Sequence, residues 1–191
     1  MCQAESVIAL RRARSDSTEA LAEVLEAHRP LICRLARRVA GDGADLDDVI
    51  QEALIAVATS LGRFRGECKL STWVAGITVR TATRHALRRR RETLATDPSL
   101  PDGPAIGTHD DPVAAVRARD LEARLRASID SLDPDHRAVV ALRHIEGLSL
   151  QEVARALGVP LGTVKSRLHH ARRALRVMLT PYLAGSEGEM P

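Results

Sequence analysis

Between Thr163 and Arg173, the residues Lys165, Ser166, His169, His170, Arg172 and Arg173 recur at helical spacing with no acid among them. Hydroxyl, imidazole and cationic groups on one helix face suit a DNA major groove, where they hydrogen-bond base edges and neutralise phosphate. On the opposite side Val164, Leu168, Ala171 and Leu175 fall at i, i+4, i+7 and i+11, one apolar stripe for a core. A second constellation is cationic: Arg80, Arg84 and the run Arg88 to Arg91 come without an acid, a ladder suited to phosphates. A third is acidic: Asp42, Asp45, Asp47, Asp48 and Glu52 come without a base. It offers a surface to a basic partner, and the same acids also favour the start of a helix.

Other chemistries lack their residues. There is no Gly-rich phosphate loop, no paired acid and base, and no nucleophile motif, so no catalytic residue is assigned and the chain is read as not an enzyme. Cys2, Cys33 and Cys68 are widely spaced, and neither they nor His28 match a metal-ligand pattern. No metal or cofactor is expected. No basic-then-apolar leader opens the chain, and no apolar run approaches the roughly 20 residues that span a bilayer. The expected setting is a reducing cytoplasm, without membrane insertion.

The elements that must carry these groups are helical. Apolar residues make up 45% of the 191-residue chain, yet Phe64, Trp73 and Tyr182 are the whole aromatic complement, so the cores are built from Leu, Val, Ile and Ala. Charge is blocked along the chain. Residues 1–92 hold 16 Lys and Arg against 12 Asp and Glu, residues 93–115 hold none against 4, and residues 116–191 hold 12 against 9. The middle block also has four prolines and no apolar period, and it reads as a flexible linker between two small helical domains. In the first domain, helices are expected over about 17–40, 46–62 and 70–91, separated at Gly41-Asp42-Gly43 and Arg65-Gly66-Glu67.

In the second domain, an amphipathic helix is expected over 113–130. Asp133-Pro134 is a cap and first-turn proline opening another through about Ile145. Ser149 and Glu152 form a capping box for a helix ending at Gly158. Thr163 is expected to cap the last helix, which runs through about Met178. Helix, short glycine-containing turn and helix make a helix-turn-helix.

The stretch GLSLQEVARALGVPLGTVKSRLHHAR closely resembles region 4 of bacterial sigma factors, which reads the −35 promoter element. ADLDDVIQEALIAV resembles the region 2 segment that binds the polymerase clamp, and FRGECKLSTWVAGITVRTATRHALRRRR the promoter-melting segment. The usual third domain has no counterpart, which is the arrangement of the extracytoplasmic-function group. The resemblance implies an all-α fold: a region 2 bundle over 1–92, a linker over 93–115, and a region 4 helix-turn-helix over 116–191.

It also implies roles. Asp48, Gln51 and Glu52 would dock core RNA polymerase, with Leu46, Val49, Ile50 and Leu54 packing behind them. Phe64, Arg65 and Lys69 would hold a flipped −10 base, while Arg80, Arg84 and Arg88 follow its strand. Arg143, Thr163, Lys165, Ser166, His169, His170, Arg172 and Arg173 would serve −35 DNA. Trp73 is read as a bundle-core residue. The sequence departs from the common pattern at Gly76, Arg80, Thr81 and Arg84. With few aromatics for stacking, a narrow set of promoters is expected. Implied partners are core polymerase, promoter DNA and an anti-sigma factor. The alternative is a free-standing helix-turn-helix regulator, which leaves the acidic helix, the arginine run and the linker without a task.

Overall fold

A computed structural model describes residues 18–43, 45–96 and 123–184. Among the described residues, three helices make the first half: α1 (Thr18–Ala40), α2 (Leu46–Ser60) and α3 (Leu70–Thr96). Along α1 the buried residues Ile32, Leu35, Ala36 and Val39 keep three-to-four spacing, so one face meets α2 and α3. Gly41, at φ 86°, ends α1 in the left-handed conformation that glycine adopts without strain, and its N–H returns to the Arg37 carbonyl at 2.9 Å. Helix α2 stops at Ser60 and tightens into a 3-10 turn, Leu61–Arg63, so the expected end near residue 62 falls inside that turn.

Helix α3 outruns its expected end at residue 91 and reaches Thr96, four residues into the segment read as linker. The arginine run supports this extension: Arg88 meets Glu92 one turn on, and the Thr93 hydroxyl donates to the Arg89 carbonyl at 3.0 Å. The rest of that segment, 97–115, lies outside the described residues.

The second half is helical over 123–130 and then builds α4 (Pro134–Val140), α5 (Leu150–Leu157) and α6 (Leu161–Ala184). Asp133 caps α4 by accepting from the Asp135 N–H at 3.1 Å. The helix expected to continue to Ile145 changes pitch at Ala141, where a π-type turn, Ala141–Ile145, sends the Glu146 N–H to the Ala141 carbonyl. The expected capping box forms in full: the Glu152 N–H donates to Ser149 Oγ at 3.2 Å, and the Ser149 N–H donates to Glu152 Oε2 at 2.8 Å. Gly158, at φ 70°, closes α5.

One expected cap is corrected. Thr163 lies within the first turn of α6 and does not cap it; the helix starts at Leu161, and the Pro160 carbonyl accepts the Val164 N–H. Proline before the first turn carries no N–H to leave unsatisfied, so it sets the start earlier than a threonine signal suggests.

Among the described residues the apolar interior forms two clusters. One lies within the first half, around Val24, Ile32, Ala53, Val57, Phe64 and Val74. The other crosses between the halves, joining Leu35, Val39, Ala75 and Val79 to Val139, Leu142, Val153 and Val164. Polar groups stitch the same seam. Arg137, buried, donates to the Val39 carbonyl at the end of α1 as well as to the Asp130 and Leu132 carbonyls. Arg90 holds Asp133 at 2.7 Å, and Arg34 grips Glu146 with two 3.0 Å bonds.

Candidate nucleic-acid interface

Helix α6 sorts its residues as the sequence pattern requires. Val164, Leu168 and Ala171 are buried and Leu175 packs beside them. Lys165, Ser166, His169, His170, Arg172 and Arg173 are exposed together on a face roughly 160° wide at 100° per residue. The neighbouring Arg167 is turned inward and held by Asp135 of α4 at 2.7 Å, which fixes how α6 sits on the helix before it. The His169 and His170 rings stand edge to face at 5.8 Å, and His136 lies 6.0 Å from His170. His144, exposed overall, approaches Arg172; partial desolvation, with Arg172 and Arg143 nearby, lowers its pKa.

Two residues expected on this surface do other work. Thr163 is half-buried, and its carbonyl accepts from the Ser166 hydroxyl at 3.2 Å. Arg143 donates to the Leu148 carbonyl at 2.8 Å and braces the turn into α5.

In the first half, the loop from Phe64 to Leu70 borders a cleft of about 320 Å³. Phe64 also lines this cleft, but it is buried, its ring 5.3 Å from that of Trp73, so it packs into the bundle. Arg65 lines the cleft from an exposed position, and Lys69 is exposed on the same loop. Across the cleft stand Glu152 and Arg155 of α5, and the Arg155 guanidinium donates to the Glu67 carbonyl at 3.3 Å.

The arginine ladder of α3 is engaged from several sides. Arg80 donates to the Ala156 carbonyl at the end of α5; the residue is exposed overall, but desolvation of its guanidinium lowers its pKa. Arg84 holds Glu52 of α2 at 2.7 Å, and Arg88 meets Glu92 at 3.7 Å. Arg80, Arg84, Arg88 and Arg91 also line a second cleft of about 460 Å³ against Leu157, Val159 and Arg167.

On α2, Asp48 and Gln51 are exposed, and Val49 faces the core with Leu46, Ile50 and Leu54 half-buried beside it. Glu52 points along the surface to α3, where His85 and Arg84 take its two carboxylate oxygens. The His85 hydrogen bond, aided by Arg84 and Arg88, holds the Glu52 carboxyl below the ordinary glutamate pKa. Sequence reasoning passed over Ile55, which is 62% exposed. It follows Asp48, Gln51 and Glu52 at i+7, i+4 and i+3, so the signal was an apolar residue completing a polar face.

Cys33 and Cys68 are half-buried free thiols, and Cys2 lies outside the described residues. Among the described residues no group of three or more His, Cys, Asp or Glu is placed to hold a metal ion. No described helix is long and apolar enough to cross a membrane.

Comparison with known proteins assigns both halves. Residues 24–92 match sigma-70 region 2, and residues 122–175 match sigma-70 region 4. The RNA polymerase sigma-H factor of Pseudomonas aeruginosa is 34% identical over 158 residues, covering 80% of this chain and 82% of that protein. The ECF RNA polymerase sigma-E factor of Escherichia coli K12 is 31% identical over 145 residues, covering 73% of this chain and 76% of that protein. The fold is similar to that of the sigma factor RpoE from Bartonella quintana, solved with the anti-sigma factor NepR, at a TM-score of 0.60 and 19% identity. That likeness covers 83% of this chain and 96% of that one.

Proposed function

The chain belongs to the sigma-70 family of RNA polymerase sigma factors, in the extracytoplasmic-function group, and we propose that it directs the polymerase to promoters through three separate surfaces. The first is the exposed face of α6, for the −35 element. Lys165, Ser166, His169 and His170 reach base edges, while Arg172 and Arg173 hold phosphates. Thr163 supports this face through its backbone, and Arg143 supports it by bracing the turn.

The second surface is the −10 side of region 2. Arg65 and Lys69 stand at the loop rim, Arg80, Arg84 and Arg88 follow the strand, and Phe64 shapes the loop from beneath. The third docks core polymerase: Asp48, Gln51 and Glu52 supply charge and hydrogen bonds, and Ile55 supplies an apolar anchor. A large apolar side chain within a polar rim is how a modest interface gains affinity.

The protein supplies binding and positioning, with no chemical step of its own, and it acts in the cytoplasm where the polymerase is. An anti-sigma factor is its proposed regulator; the similar sigma factor RpoE was solved in complex with the anti-sigma factor NepR. The observation that carries the reading is the acid-free exposed face of α6 opposite a buried stripe, set behind a fully formed capping box. Mixing labelled full-length protein with purified core polymerase tests it. A saturable complex is expected, and absence of a complex, together with dimeric binding to a palindromic duplex, would establish the free-standing regulator instead.

A further inference from the structure

The imidazoles of the −35 face do not stop at α6. His136, the third residue of α4, has its ring 6.0 Å from that of His170, which stands 5.8 Å from His169, so three rings run in a row from the base-reading face onto α4. Both sequence neighbours of His136 are pinned. Asp135 is held by Arg167 of α6 at 2.7 Å, and the buried Arg137 donates to the carbonyls of Val39, Asp130 and Leu132, which leaves His136 half-buried at the edge of the face.

The charges packed around this row are cations, or acids already engaged. On α4, Asp133 and Asp135 are held by Arg90 of α3 and Arg167 of α6, and Asp130 before them lies near Arg137 and Arg38. On α1, Arg34 and Arg37 are taken by Glu146 and Asp42; α3 also brings Arg91 to the cleft beside Asp135. Helix α6 adds Lys165, Arg172 and Arg173, and the π-type turn adds Arg143 and His144. No acid pairs with the row itself. A DNA phosphate supplies the missing negative charge and favours the protonated imidazole.

We propose that His136 is a further promoter contact, which meets a DNA phosphate on the α4 flank of the −35 face as an imidazolium, so that duplex binding takes up a proton from solvent. Neighbouring rings repel once charged, so the row takes up about one proton and not one per ring. His136 carries it, because Asp135 stands beside it while Arg172 and Arg173 share a helix with His169 and His170. Phosphate raises the pKa of this ring in the complex above its value in the free protein, so binding tightens as pH falls through the histidine range. The inference rests on the assignment of α6 to −35 DNA, and the test keeps the two apart.

Full-length wild type, His136→Gln and His136→Arg are titrated with a fluorescein-labelled duplex of mixed sequence at fixed low ionic strength, from about pH 8 down to about pH 6. Wild-type affinity should rise about tenfold over that range. Its slope of log affinity against log salt should steepen by about one unit, the mark of one added phosphate contact. His136→Gln should match wild type at the alkaline end and lack most of the rise, whereas His136→Arg should bind at the alkaline end as tightly as wild type does at the acid end. A purely structural role would shift binding alike at every pH. Parallel curves for wild type and His136→Gln, or His136→Arg no tighter than wild type at the alkaline end, would overturn the proposal. Arg173→Ala in the same titration separates the two assignments. If it weakens binding throughout while His136→Gln follows wild type, the −35 face stands and the His136 contact falls; if neither variant changes binding, the assignment of α6 falls with it.

Discussion

Glu52, on the helix proposed to dock polymerase, holds Arg84, on the helix proposed to follow promoter phosphates, at 2.7 Å. With His85 on its second oxygen, this carboxylate joins two binding surfaces through one ion-pair cluster. The cluster gives a pH signature. The folded-state pKa of Glu52 is depressed, first by the His85 hydrogen bond and then by Arg84 and Arg88, so its contribution to stability is present above the unfolded glutamate pKa. That contribution is lost as pH falls through the depressed folded value. Urea midpoints measured at successively lower pH should fall more steeply for wild type than for Glu52→Gln once the ordinary glutamate range is passed. The difference should stay within about 1 kcal/mol, since a half-exposed pair is screened by solvent. Parallel curves would remove Glu52 from the acid transition.

Polymerase docking is expected to depend on Ile55 more than its surface position suggests. Ile55→Ser changes an exposed side chain, so folding stability should move by no more than about 0.5 kcal/mol. Affinity for core polymerase should fall about tenfold, the loss typical of an anchor worth at least 1 kcal/mol. Asp48→Lys should weaken association in the same assay and make it less sensitive to salt. Unchanged affinity in both variants would move the dock elsewhere.

On α6, base reading and phosphate holding separate by their response to salt. His169→Ala should change sequence preference at one or two positions of the −35 element. Arg173→Ala should weaken all duplexes alike and reduce the slope of log affinity against log salt by about one unit. Titrations over a panel of singly substituted duplexes at several salt concentrations distinguish the two. If both variants behave alike, these residues share one role and the division proposed here is wrong.

Arg137 is the polar pin of the seam, donating to the carbonyls of Val39, Asp130 and Leu132. Arg137→Leu fits apolar surroundings but leaves those carbonyls without their donor, at about 1–3 kcal/mol for each buried group left unsatisfied. Chemical denaturation should show a loss of several kcal/mol, larger than that of Ser149→Ala, where a helix cap is worth about 0.5–2 kcal/mol. The reverse order would assign the main polar stabilisation to the capping box.

What the sequence made legible was local. The Ser149–Glu152 box and the Val164, Leu168, Ala171 stripe involve residues within a few turns of one another, so spacing alone specifies them. Asp48, Gln51 and Glu52 were singled out by the family resemblance, and their i, i+3 and i+4 spacing puts them on one side of α2. Thr163 misled because a threonine before an apolar period is a cap signal, and Pro160 set the start instead. Helix α3 outlasted the expected boundary because arginines are good helix formers and can prolong a helix that no apolar period marks.

The tertiary partners were beyond reach. That Phe64 would be buried against Trp73, or that Arg80 would meet a carbonyl 76 positions away, depends on how helices pack. Gly76 showed this most sharply, since its meaning lies wholly in the backbone of Ala156. A glycine inside a helix signals close approach without naming what approaches.

The central claim is that this chain gives RNA polymerase its promoter choice. The direct measurement is transcription in vitro with purified core polymerase over fragmented genomic DNA, with the 5′ ends of the transcripts mapped. The expected result is a small set of discrete start sites that require the protein and share upstream −35 and −10 elements. Joint substitution of Lys165, Ser166, His169 and His170 should change which sites are used. Start sites identical to those of core polymerase alone, or a site set untouched by that substitution, would contradict the account.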